Sequence, residues 1–137
     1  MYSTISKTLA TDRFLESSFD LLDLAREGLT TASIYSVIDV LKISIDEMVA
    51  LLPISRRTLE RYELNQKLSP ELSDRLIQIA KVYSRTLEVF GERNLVLGWL
   101  KSPCRAFGDV IPLSILNLQS GFEIVIDELG RIDYGVY

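Results

Sequence analysis

Apolar residues recur along this chain at intervals of three and four, the spacing that lines side chains along one face of a helix, and the pattern predicts an all-α protein. From Ser18, the residues Phe19, Leu21, Leu22, Leu24 and Ala25 predict a short helix that stops at Gly28. Thr31 is placed to cap a second helix, with Ile34, Val37, Ile38 and Leu41 as its core face. The stretch from Ser44 to Gln66 reads as two short helices divided near Pro53. Ser44 with Glu47 forms a capping box at the first, and Ser55 caps the second. Met48, Val49 and Leu52 would pack inward with Ile54 and Leu59. A long helix is expected from Pro70 to Phe90, capped by Ser69 and ended by Gly91, with Leu72, Leu76, Ile79, Ala80, Tyr83, Leu87 and Phe90 as its stripe.

Asn94 to Leu100 reads as a further helix closed by Ser102-Pro103, and Cys104 to Leu116 as irregular chain around Gly108 and Pro112. Asn117 is then expected to cap a last helix carrying Phe122, Val125, Ile126 and Leu129, with Gly130 as its stop, which leaves Arg131 to Tyr137 as a tail. Met1 to about Thr11 shows no sustained period and reads as a frayed arm or a weak partner contact. The expected organisation is an N-terminal arm (1–17), a helix-turn-helix domain (18–85) and a small α-helical domain (86–137), joined through the long helix without a flexible linker. No internal repeat interrupts this order.

Composition narrows the chemistry. With 47% hydrophobic and 25% charged residues, 137 residues can bury one core or two small ones. No apolar run approaches the roughly 20 residues that span a bilayer. The polar start lacks the regions of a secretion signal, and the expected location is the cytoplasm, with no membrane partner. The single cysteine, Cys104, reads as an incidental loop thiol. Histidine is absent, which removes the commonest general base and the usual zinc and haem ligands. No phosphate-cradling or nucleophile-elbow motif is present, so neither catalytic residues, a metal nor a cofactor is expected, and the protein is read as a non-enzyme.

Three groups of residues carry candidate function. Arg56, Arg57 and Arg61 lie on the second helix of the helix-turn-helix, where guanidinium forks can meet phosphates or a guanine edge. The plainer alternative is a solvated face on which Arg57 and Arg61 pair with Glu60 or Glu63. The net charge of −4 opposes non-specific attraction to nucleic acid but permits a local basic surface. The tail Arg131 to Tyr137 is either a narrow aromatic and acidic probe for a cleft or a terminus that folds back or frays. Trp99 is read as structural, packed between the last two helices. Glu123, Asp127 and Glu128 are expected along one rim of the last helix, making the C-terminal region acidic against a locally basic helix-turn-helix.

From Val89 to Tyr137 the chain carries Phe90-Gly91, Trp99-Leu100 ahead of Ser102-Pro103, Pro112-Leu113, Leu116, Gly121, a short helix and Gly135-Val136-Tyr137. In that order these features resemble the toxin-binding domain of the MbcA/ParS/Xre antitoxins. Arg26 to Ile79 resembles the Xre-type helix-turn-helix. The Cys104 to Gly108 loop departs from the pattern. The resemblance implies an antitoxin of a RES–Xre toxin–antitoxin pair. By that analogy it binds a RES-domain toxin that degrades NAD⁺, and Arg131, Asp133, Tyr134, Gly135, Val136 and Tyr137 occlude the toxin's NAD⁺ pocket. It further implies operator DNA as a second partner, transcriptional autoregulation and a homodimer within the toxin complex. The competing reading is a stand-alone helix-turn-helix regulator whose C-terminal domain serves dimerisation or effector sensing.

Overall fold

A computed structural model describes residues 1–135 as α-helices and short 3₁₀ turns, with no strand among them beyond two isolated bridges. The chain divides into two compact units, Met1–Lys81 and Val82–Tyr137. No helix among the described residues is long and apolar enough to cross a membrane.

The first unit holds α1 (Tyr2–Leu9), α2 (Ser18–Glu27), α3 (Thr31–Leu41), α4 (Ile45–Val49), α5 (Arg56–Arg61) and the first half of α6 (Pro70–Phe90). The segment read as a frayed arm is helical. Ile5, Thr8 and Leu9 share one face at helical spacing and are fully or almost fully buried. Ser33 of α3 donates its hydroxyl to Leu9 O at 2.6 Å and Ser36 to Thr8 O at 2.8 Å. These bonds satisfy carbonyls that the end of α1 leaves without helical partners.

The remaining boundaries follow local capping chemistry. Ser17 and Asp20 form a capping box at α2. Thr30, rather than Thr31, precedes the first residue of α3, and Thr31 instead donates its amide to Gln66 O at 3.0 Å. That bond and Leu68 N to Leu29 O at 2.8 Å tie the segment after α5 to the start of α3. On α2, Leu21, Leu24 and Ala25 are buried while Phe19 and Leu22 face outward.

The second unit holds the end of α6, α7 (Arg93–Leu100), 3₁₀ turns at Arg105–Phe107 and Pro112–Ile115, and α8 (Gln119–Tyr134). Trp99 is half-buried. It lies between Phe90, at 5.9 Å between ring centroids, and Phe107, at 6.3 Å edge-on, rather than between the last two helices. Cys104 is buried, and its amide donates to Val110 O at 2.9 Å, which closes a short loop.

Helix α8 differs from expectation at both ends. Leu118, rather than Asn117, precedes it, and it runs through Gly130 to end at Gly135, whose φ of 66° is left-handed. One glycine inside a helix costs only about 0.5–1 kcal/mol, less than the burial of Phe122, Val125 and Leu129 on its inner face contributes. Gly121 permits the closest approach in this unit. A Cβ there would lie 1.7 Å from Ile115 O, so the first turn of α8 sits directly against the preceding 3₁₀ turn.

Candidate DNA-binding and toxin-binding sites

The helix-turn-helix is assembled by side chains that satisfy its exposed backbone groups. Glu47 N donates to Ser44 Oγ at 3.0 Å, and Ser44 N donates back to Glu47 Oε1 at 3.1 Å. Ser55 Oγ accepts from Thr58 N at 3.1 Å. Met48, Leu52 and Leu59 are buried, as the pattern predicts, while Val49 and Ile54 are half-buried. Arg75 on α6 donates to Leu51 O at 2.8 Å and so anchors the turn.

The three arginines stand in different states. Arg56 Nη1 meets Asp46 Oδ1 and its Nε meets Glu60 Oε1, each at 2.9 Å, so its fork links α4 to α5. The bond to Asp46, then that to Glu60, pushes its pKa further up and holds it charged. Arg57 and Arg61 are exposed and make no hydrogen bond or ion pair among the described residues. The expected basic character is not net. Between Ser44 and Gln66 three arginines stand against four carboxylates.

At the C-terminal end, the residues expected in a free tail divide. Arg131, Asp133 and Tyr134 belong to α8, and Gly135 is its cap. Val136 and Tyr137 lie outside the described residues. Arg131 Nε donates to Glu128 Oε1 at 2.8 Å, and Asp133 Oδ2 accepts from Arg85 Nη2 at 3.1 Å. Arg85 also reaches Glu88 at 3.3 Å. Tyr134 is 80% exposed.

Two participants escaped the sequence pattern. Glu128 is 2% exposed and lies within the buried face of α8, so it does not join Glu123 and Asp127 on a rim. Its spacing from Phe122, Val125 and Leu129 was the available signal, obscured by its charge. Arg85 pairs with a residue 48 positions away, a relation that no periodicity encodes.

Residues 86–135 match the model of the antitoxin Xre/MbcA/ParS C-terminal toxin-binding domain, and residues 20–81 match that of the antitoxin Xre-like helix-turn-helix domain. Antitoxin Xre of Yersinia enterocolitica is 26% identical over 119 residues, covering 85% of this chain and 80% of the relative. Antitoxin Xre of Pseudomonas putida is 32% identical over 100 residues, covering 68% and 63%. A protein of Sphingobium named Prs ADP-ribosylating antitoxin is 24% identical over 131 residues, covering 88% and 82%. With a helix-turn-helix domain followed in order by a toxin-binding domain, this chain belongs to the Xre/MbcA/ParS-type antitoxins.

Proposed function

We propose that this antitoxin neutralises a RES-domain toxin that consumes NAD⁺, with the end of α8 and the residues beyond it closing the toxin's NAD⁺ pocket. The observation that carries the reading is the position of Tyr134 and Gly135. An exposed aromatic and a left-handed glycine end the helix within the segment that matches a toxin-binding domain. A tyrosine supplies both apolar area and a hydroxyl to a cleft. The name of the Sphingobium relative refers to ADP-ribosylation, a reaction whose usual donor is NAD⁺, and that chemistry agrees with an NAD⁺-consuming partner.

The proposed elements of the tail take separate roles. Tyr134, Gly135, Val136 and Tyr137 form the blocking element. Asp133 and Arg131 are engaged within α8 and its neighbour α6, where they hold the last turn from which that element departs. Co-expression with the product of the adjacent reading frame, followed by purification on this chain and assay of NAD⁺ loss, tests the reading. Co-purification with suppressed NAD⁺ consumption is expected. Deleting Gly135–Tyr137 should leave the fold intact and lose suppression, and a truncated chain that still suppresses would overturn the blocking role.

In the same reading the antitoxin binds its operator as a homodimer and represses its own operon. Arg57 and Arg61 supply the phosphate or base contacts, while Arg56 braces the unit through Asp46 and Glu60. Replacing Arg57 and Arg61 by Ala should weaken operator shifts and reduce the salt dependence of binding by about one unit of slope per lost phosphate contact. Toxin binding should be unchanged.

A further inference from the structure

Gly130 is a helical glycine without an internal reason. It lies within α8, where alanine would be favoured by about 0.5–1 kcal/mol, and a Cβ at this position would meet nothing within 4 Å. No neighbour among the described residues uses the missing side chain. Helical spacing places Gly130 between Ile126 and Tyr134 on a half-exposed part of α8, turned away from Val125. Ile126 precedes it by one turn and Tyr134 follows by one turn, and both are exposed. Glu123 and Asp127 share this face, are exposed, and make no ion pair or hydrogen bond among the described residues. The result is a notch between two apolar side chains, edged by two unpartnered carboxylates.

We propose that the outward face of α8, formed by Glu123, Ile126, Asp127 and Gly130, is a docking surface for the toxin that adjoins the blocking element at Tyr134. It rests on the functional reading above. An apolar side chain of the toxin seats over Gly130 between Ile126 and Tyr134, and lysine or arginine groups beside it meet Glu123 and Asp127. Two observations, together with the functional reading above, specify this occupant. The segment matches a toxin-binding domain. The unpaired carboxylates call for a basic surface, because complementary charge speeds encounter and penalises other partners. The same helix carries the blocking element at its end, so one toxin molecule engages both.

The test uses the full chain and the toxin from the adjacent reading frame, with association followed by surface plasmon resonance and NAD⁺ loss assayed in parallel. Gly130→Gln fills the notch in open space and keeps a good helix former, so its thermal midpoint should hold or rise. Its affinity should fall by about tenfold or more, the effect of losing one well-packed anchor. At saturating concentration it should still suppress NAD⁺ loss. The Glu123→Gln/Asp127→Asn double variant should slow association and flatten its salt dependence. Unchanged affinity in the Gly130 variant, with the wild type still binding and suppressing, would overturn this surface and leave the functional reading standing. Failure of the wild type to bind the toxin would overturn both.

Discussion

Arg85 donates through Nη2 to Asp133 Oδ2 at 3.1 Å and thereby fastens the last turn of α8 to α6 across 48 positions of sequence. The pair stands at the surface, where such a bridge contributes about 0.2–1 kcal/mol. Arg85→Ala should therefore lower the thermal midpoint by only a few degrees. The larger expected effect is local, as faster amide hydrogen exchange over Arg131–Gly135, and added salt should reproduce part of it. Protection in that turn equal to wild type would show that the bridge does not hold it.

Glu128 should matter more to stability than Asp133, although both are carboxylates paired with arginine. Its side chain is buried, and removing it leaves a hole and breaks the bond to Arg131. Glu128→Ala should cost about 1–3 kcal/mol, against less than about 1 kcal/mol for Asp133→Ala. Urea unfolding of the two variants side by side measures the difference.

Gly121 tolerates no side chain. An alanine Cβ would sit 1.7 Å from Ile115 O, and backbone cannot swing away as a flexible side chain can. The strain should cost about 1–3 kcal/mol despite the better helix propensity of alanine. Chemical denaturation of Gly121→Ala should show this loss. A stability equal to wild type would mean that the first turn of α8 moves easily.

Asp20 links the N-terminal unit to pH. The amides of Glu16 and Ser17 donate to its carboxylate at 2.7 and 3.0 Å, the former the larger cause, and hold its pKa below the usual carboxylate value. A pKa lowered by folding contributes stability above the ordinary carboxylate range, and that contribution disappears as pH falls through the folded-state value. Between about pH 6 and about pH 2, Asp20→Asn should flatten the acid limb of a thermal-stability profile relative to wild type. An unchanged limb would show that this cap is not a source of the pH dependence.

Local chemistry made most of the helices legible in advance. Ser44 with Glu47, Ser55, and Ser69 ahead of Pro70 are start signals that act within one turn, and all three act as expected. Helix α1 is not legible in the pattern because its buried face includes Thr8, which counts as polar although its hydroxyl donates to Thr4 O at 2.7 Å. The end of α8 is not legible because glycine weakens a helix by less than core packing restores, so Gly130 looks like a stop and is not one. Of the candidate site residues, Arg57, Arg61 and Tyr134 stand exposed. The engagement of Arg56, Arg131 and Asp133 depends on partners brought close by folding.

The placement of Trp99 between Phe90 and Phe107 gives the toxin-binding domain its own optical signal. It is the sole tryptophan of the chain and it lies in the second unit, so indole emission reports on that unit alone. Far-ultraviolet circular dichroism registers the helices of both units. Melts followed by the two signals will coincide when the units unfold together and separate when they do not.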